Sequence, residues 1–339
     1  MTDPIEILIT LPFSKELVSM LREVSPRLNL QVIKARKPED IPSEVWSKTE
    51  VLYTNSVLPD LETAPNLRWI QFHWAGVNHA IDAPILGKSG LVATTLSGAG
   101  ATKMAEYILM MLLALGQRLP DLFAHQESRE WPQDRWERFA PLELRESTVG
   151  IVGYGSIGRQ VARLLHPFGA QVLACKQDAM QPVDSGYTPE GYGDPAGDFV
   201  HRLYPTQALR SMLKQCDFVV ITVPLTPATL GMIGAEQLAA FKPGAFLIDV
   251  SRGGVLHQEA LIHALEENKI AGAALDVFPE EPLPEDSPLW EMPNVIITPH
   301  ISGVTPNYDQ RAVELFARNL ERYVTGEPLY NVIDPNTGY

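Results

Sequence analysis

The stretch "VGIVGYGSIGRQVARLL", residues 149–165, decides the fold. Its opening residues are apolar and largely β-branched, as a buried strand requires, and "SIGRQVARLL" carries the apolar spacing of an amphipathic helix. Between them Gly153, Gly155 and Gly158 form G-x-G-x-x-G. In this setting the first glycine allows a tight turn, the second lets the backbone approach a pyrophosphate, and the third lets helix and strand pack closely. Amides at the start of the helix then face the anion, helped by the helix dipole. Glycine triplets also occur in ordinary turns; the flanking strand and helix select the dinucleotide-binding reading.

Outward from this turn, apolar strands recur in a βα series that begins at Thr148: "QVLAC" (171–175), "FVVITV" (218–223), "AFLIDV" (245–250), "GAALDV" (272–277) and "NVIITP" (294–299). Strands joined through helical patterns predict a doubly wound parallel sheet. The first hundred residues alternate in the same way, with "IEILIT", a helix "SKELVSMLREV" capped by Ser14, "LNLQVIK", "VLYTN" (51–55) and "LRWIQF" (67–72). The whole chain is therefore expected to be α/β. "TKMAEYILMMLLALGQRL" (102–119) is apolar on nearly every face, which predicts a helix buried between domains. A polar, Trp- and Arg-containing arm follows at 120–146, a candidate oligomer contact, and 178–205, rich in Gly, Pro and Asp, is expected to be a surface excursion. "NYDQRAVELFARNLERYVTG" (307–326) is a closing amphipathic helix.

Composition narrows the function classes. The chain has 339 residues, 45% hydrophobic and 20% charged, with a formal net charge of −14. That balance suits a two-domain globular protein and gives no general basic surface for nucleic acid or an anionic membrane. Cys175 and Cys216 form neither a CxxC pair nor a disulfide framework, and no HExxH or Cys/His spacing points to a metal. The N-terminus lacks the basic region of a signal peptide, and the apolar run 107–116 is too short to span a bilayer. The expected location is the cytoplasm.

"LIDVSRGGVLHQEALIHALEENKIAGAALDVFPEEPLP" (247–284), "NVIITPHISG" (294–303), "VPLTPAT" (223–229) and the glycine turn together resemble the D-isomer-specific 2-hydroxyacid dehydrogenases. The resemblance covers most of the chain. It implies a Rossmann cofactor domain (101–300) and a smaller, flavodoxin-like α/β substrate domain (1–100 and 301–339), with the active site in the cleft between, and a homodimer. It assigns Arg252 to the substrate carboxylate and keto oxygen, His300 to proton transfer, and Glu281 to the carboxylate paired with that histidine. Ser156 and Ile157 match pyrophosphate contacts, and Pro224 and Thr229 the loop beside the adenosine and ribose. Val250 and Ser251 lead into the arginine loop on the cofactor side, and Asp276 matches an aspartate near the nicotinamide carboxamide. Ala75, Gly76 and Val77 of "WAGVNHA" match a loop whose amides hold the substrate carboxylate, with Trp74 either a pocket wall or ordinary packing.

The chemistry stands on its own terms. Reducing a keto acid needs a cation for the carboxylate, a proton donor for the developing alkoxide and a hydride source. A guanidinium forks onto a carboxylate, histidine carries a proton near neutral pH, and a nicotinamide supplies the hydride. Taken singly, Arg252 and Glu281 have a bland alternative as surface ion-pair or solvated residues, and His300 as a loop residue; inside these motifs function is the stronger reading. His73, His79 and His257 are expected to be structural or to line the cleft rim. A non-catalytic, NAD(P)-sensing interaction protein is the alternative of another class, since co-repressors share this fold. A formate dehydrogenase is disfavoured because that branch has glutamine where Glu281 stands.

Two departures bear on specificity. NAD-preferring members place an acid after the second strand to accept both ribose hydroxyls. Here "QVLACKQD" puts Lys176 at that position, with Asp178 two residues on. Arg159, just past the third glycine, lies near enough in sequence to join Lys176 on a 2′-phosphate, so NADP is expected over NAD. The competing assignment has Lys176 in solvent and Asp178 on the ribose. Asn78 replaces the usual acid at the end of the substrate loop, and "WIQFHWAGVNHA" is similar to the glyoxylate and hydroxypyruvate reductase-like branch, so a small acid of that type is the expected substrate.

Overall fold

The computed structural model describes residues 3–77 and 80–334, and the elements below are those of the described residues. The chain divides into two compact units, Met1–Gly100 with Thr305–Tyr339, and Ala101–Val304.

In the first unit, strands β1 (Ile5–Ile9), β2 (Leu28–Val32), β3 (Val51–Thr54), β4 (Trp69–Phe72) and β5 (Val92–Thr94) form a parallel sheet of order β2-β1-β3-β4-β5. The alternating pattern predicts the parallel sheet, and this order is that of the flavodoxin-like domain the resemblance implies. β1 shows why: Ile5, Ile7 and Ile9 pack with Val313, Phe316 and Leu320 on one face, while Leu8 joins Trp46, Leu52 and Ile70 on the other. A sheet buried on both faces needs apolar residues in both phases, hence the continuous run. Ser14 caps the helix Lys15–Glu23 by accepting from the Leu17 amide, as its sequence indicates. The closing helix Tyr308–Thr325 packs on this helix and ends at Gly326, whose φ of 77° is the left-handed cap glycine permits. β5 was not anticipated; three residues ending in Thr94 are too short for alternation to register.

In the second unit, β6 (Thr148–Val152), β7 (Gln171–Cys175), β8 (Arg202–Tyr204), β9 (Phe218–Ile221), β10 (Phe246–Asp249), β11 (Gly272–Leu275) and β12 (Val295–Ile297) pair in parallel in the order β12-β11-β10-β9-β6-β7-β8. Strand order reverses between β6 and β9, the arrangement of a doubly wound nucleotide-binding sheet. Residues alternate between two cores: Phe218, Val220 and Ile248 face one, and Val219, Ile221 and Leu247 the other.

Two expectations need correction here. The helix expected over 102–119 spans Ala101–Gly116 and is not covered all round. Ile108, Leu112 and Leu115 are buried against the helix Ser156–Leu165 side of the unit, but Met110 and Leu113 are exposed at 52% and 37%. The segment 178–205 is likewise more than an excursion, since its end supplies the edge strand β8. It is also anchored from within. Asp194, 2% exposed, accepts the Tyr154 hydroxyl at 2.5 Å and the amides of Gly197, Asp198 and Phe199 at 3.1, 2.7 and 3.0 Å.

Removing that carboxylate strands four buried or half-buried donors at once. Asp194→Ala is therefore expected to cost about 2–5 kcal/mol in denaturant-induced unfolding and to open 178–200 to limited proteolysis. A variant as stable and as protease-resistant as the wild type would show that the segment is held by other means.

Candidate functional site

The glycine turn joins β6 to the helix Ser156–Leu165, and each glycine has its own steric reason. Gly153 has φ +104°, and a Cβ there would lie 2.9 Å from Val223 Cγ1 and 3.0 Å from the Val223 amide. A Cβ on Gly158 would lie within 2.4 Å of the Gly153 carbonyl oxygen and 2.9 Å of Ile151 Cγ2, so helix and strand touch there. At Gly155 an added Cβ meets nothing within 4 Å. The turn is thus closed at its two outer glycines and open at the middle one. Gly155 is also the helix N-cap and offers no side-chain acceptor, and the first helical turn carries no acid. An anion over Gly155 would complete that helix end. These features fit a dinucleotide pyrophosphate.

Arg252 follows β10 on a loop that packs hard on the segment after β11: a Cβ on Gly253 would fall 1.9 Å from the Phe278 carbonyl oxygen. The Arg252 guanidinium donates to the Ser251 carbonyl at 2.8 Å, and no carboxylate among the described residues pairs with it. Val250 and Ser251 before it are buried, the Ser251 hydroxyl donating to Asp249 at 2.6 Å. Burial pushes the Asp249 carboxyl up to about 6, with the nearby Asp276 charge adding to the effect.

Glu281 and His300 are brought together. Glu281 Oε2 lies 2.7 Å from His300 Nδ1, and its Oε1 accepts the Phe278 amide at 3.0 Å, which fixes the carboxylate on both sides. With Nδ1 held, Nε2 is the ring nitrogen left to exchange a proton with a substrate. Both side chains are partly exposed, as that role requires.

Asp276 lies at the end of β11, in the segment that leads to Glu281. It is fully buried, and its oxygens accept the Thr298 hydroxyl at 2.6 Å and the amides of Ile301 and Ser302 at 2.8 and 2.9 Å. Its contacts hold the loop around His300. Thr229 too is engaged within its own loop: its hydroxyl donates to the Pro224 carbonyl at 2.6 Å and accepts the Thr226 amide at 2.8 Å, shaping the turn after β9.

Lys176, the first residue after β7, is half-buried and donates to the Gln181 carbonyl at 2.7 Å. Burial, then the charge of Arg159, lowers its pKa. It does not simply face solvent. Asp178 is exposed and accepts the Met180 amide. Arg159 is not available to a phosphate. At 1% exposure its guanidinium donates to the Asp194 and Pro182 carbonyls and pairs with Asp184 at 3.5 Å, so it fastens the 178–205 segment. Its position just past Gly158 could not reveal that direction.

In the first unit the segment after β4 carries Trp74, Ala75, Gly76 and Val77. Trp74 is 43% exposed, and its ring meets His73 edge-on and Tyr308 at a tilt, so packing and exposure are both present. The amides of Ala75, Gly76 and Val77 meet no acceptor among the described residues. His73 is structural: it is buried, contacts the Tyr53 hydroxyl at 2.8 Å, and burial pushes it down to about 4, so it stays neutral. His257 caps the helix Gln258–Glu266. Asn78 and His79 lie outside the described residues. Cys175 and Cys216 are buried, their thiols pushed up to about 11 and about 12 by that burial, which leaves them unreactive.

The family model of the D-isomer specific 2-hydroxyacid dehydrogenase NAD binding domain matches residues 109–302. The chain belongs to that family. It is 31% identical, over 98% of its length, to a D-3-phosphoglycerate dehydrogenase of Methanocaldococcus jannaschii, and it spans 60% of the length of that protein. A glyoxylate reductase of Thermofilum pendens is 35% identical over 79% of this chain and 75% of its own. A D-isomer specific 2-hydroxyacid dehydrogenase of Xanthobacter autotrophicus Py2, solved in complex with NADPH and MES, is similar with a TM-score of 0.80 and 28% identity across 100% of both chains. The matched range of the NAD binding domain includes the glycine turn, and NAD(P)-linked oxidoreduction of keto and hydroxy acids is the chemistry of the family.

The steric contrast within the turn gives a test. Gly155→Ala should leave thermal stability unchanged while weakening cofactor binding, because its Cβ enters only the open space. Gly158→Ala should cost about 1–3 kcal/mol of stability from overpacking. Equal loss of stability in both, or undiminished cofactor affinity in Gly155→Ala, would contradict this division.

Proposed function

We propose that the protein is an NADPH-preferring reductase of small 2-keto acids of the glyoxylate and hydroxypyruvate type, with Ala101–Val304 as its cofactor domain and the remaining unit as its substrate domain. The observation that carries this reading is the His300–Glu281 contact at 2.7 Å, at the same sheet edge as the open glycine turn. The bound nicotinamide supplies the hydride. Arg252, free of any acidic partner among the described residues, holds the substrate carboxylate and polarises the keto oxygen, and the amides of Ala75, Gly76 and Val77 assist at the carboxylate. His300 gives its Nε2 proton to the developing alkoxide, and Glu281 steadies the resulting ring through Nδ1. The similarity to a glyoxylate reductase supports the substrate class.

Ser156, Ile157, Pro224, Thr229, Val250 and Ser251 shape the cofactor site around the turn. For cofactor choice, Lys176 replaces the acid that would accept ribose hydroxyls, and two of its ammonium protons remain beyond the Gln181 contact. The similar NADPH complex is in keeping with this. A homodimer fits the exposed apolar residues on and after the helix Ala101–Gly116: Met110, Leu113, Phe123, Trp131 and Trp136, the last two 81% and 78% exposed. The cytoplasm, where buried free thiols such as Cys175 and Cys216 persist, is the compartment we assign. Among the described residues no single helix is long and apolar enough to cross a membrane.

His300→Gln should bind cofactor normally and lower reductive kcat by about 10²–10⁴-fold, the usual worth of a general acid; near wild-type turnover would remove His300 from the role. For the cofactor, a charge-assisted phosphate contact of about 1.5–3 kcal/mol corresponds to roughly a ten- to hundredfold preference for NADPH. Lys176→Asp should move that preference toward NADH. Wild-type preference for NADH, unaltered in the variant, would overturn the assignment.

A further inference from the structure

His300 stands in an unusual backbone conformation. Its φ is +54°, in the left-handed region that residues with a Cβ avoid, and it is 19 residues from Glu281, its ring partner. A side-chain contact to one exposed carboxylate does not hold such a backbone. The loop on either side of it does. Before it, Thr298 is tied to the sheet by its amide donating to the Leu275 carbonyl at 2.9 Å. After it, the amides of Ile301 and Ser302 both donate to the fully buried Asp276 carboxylate.

Asp276 is in turn oriented from outside the loop. Its Oδ1 accepts the Thr298 hydroxyl at 2.6 Å, and Thr298 Oγ1 lies 2.6 Å from the hydroxyl of Tyr107. Thr298 has one hydroxyl hydrogen, and it is spent on Asp276; Tyr107 is therefore the donor to Thr298. Burial raises the Tyr107 phenol to about 12, which keeps that proton in place. Tyr107 is 3% exposed on the helix Ala101–Gly116, 191 residues away in sequence from the threonine it supports.

We propose that Tyr107, Thr298 and Asp276 form a positioning relay that sets the backbone of His300 and so aims its ring. The relay rests on the reading of His300 as the proton donor, and none of its three members needs to touch substrate. Tyr107 fixes Thr298, Thr298 fixes the rotation of the Asp276 carboxylate, and the carboxylate pins the two amides that follow His300. Loosening the relay displaces the donor from its line to the substrate while leaving the glycine turn and Arg252 in place.

The test is an isosteric pair at the middle of the relay. Thr298→Val removes the hydroxyl and keeps the shape; Thr298→Ser keeps the hydroxyl. In the full-length protein, Thr298→Val should lower kcat for glyoxylate with saturating NADPH by about 10- to 100-fold, the scale of a misplaced catalytic group. KM for glyoxylate and Kd for NADPH should stay within about twofold of wild type. Amide exchange at Ile301 and Ser302, read without any ligand, should speed up in Thr298→Val, and Thr298→Ser should restore both properties. Tyr107→Phe should show the same effects in weaker form. Unchanged kcat in Thr298→Val, whether or not exchange speeds up, overturns the relay, as does a loss shared equally by the serine variant. His300→Gln run alongside separates the two claims: if it is active, the reading of His300 fails; if it is inactive while Thr298→Val is fully active, only the relay fails.

Discussion

Strands in a parallel sheet all end at the same edge, and the chemistry of this protein depends on that constraint. In the Ala101–Val304 unit the glycine turn follows β6, Lys176 follows β7, the Pro224–Thr229 turn follows β9, Arg252 follows β10, Glu281 follows β11 and His300 follows β12. Residues spread over more than 140 positions of sequence are gathered because seven strands point one way. Strand reversal between β6 and β9 opens the crevice in which such sheets hold nucleotides. The sheet itself is held by two apolar cores, so the edge is free to carry polar groups that a core would not tolerate.

The charged groups divide into those that hold and those that present. Asp194, Asp249, Asp276 and Arg159 are buried, and each is surrounded by hydrogen-bond partners from the backbone or from hydroxyls. They order loops that have few apolar residues of their own. Arg252, Glu281 and His300 are partly exposed and only partly engaged, which leaves donors and acceptors for a ligand. Buried charge here is a means of fixing irregular backbone, and its removal is costly because the partners left behind are also buried.

Much of this was legible in the sequence, and the failures have a common cause. The glycine turn follows from its spacing between a strand and a helix, the two parallel α/β sheets from the alternating pattern, and the Glu281–His300 pair from the family resemblance. Spacing does not fix which way a long side chain runs. Arg159 sits one residue past Gly158, and its sequence position suits a phosphate, yet its guanidinium is directed into the 178–205 segment. β5 and β8, three residues each, are too short to show a period, and the helix Ala101–Gly116 was too uniformly apolar for its exposed face to be read. Tyr107 and Thr298 gave no local signal, because their contact exists only once helix and sheet have packed.

The central claim is that this sheet edge delivers a hydride from a nicotinamide to the carbonyl carbon of a small keto acid while His300 supplies the proton. The most direct measurement is isotope transfer: incubate the protein with glyoxylate or hydroxypyruvate and NADPH deuterated at C4 of the nicotinamide, and examine the hydroxy acid by mass spectrometry. The account predicts product that carries the deuterium on C2, formed in step with cofactor oxidation. Cofactor that binds but passes no deuterium to any 2-keto acid offered would contradict it.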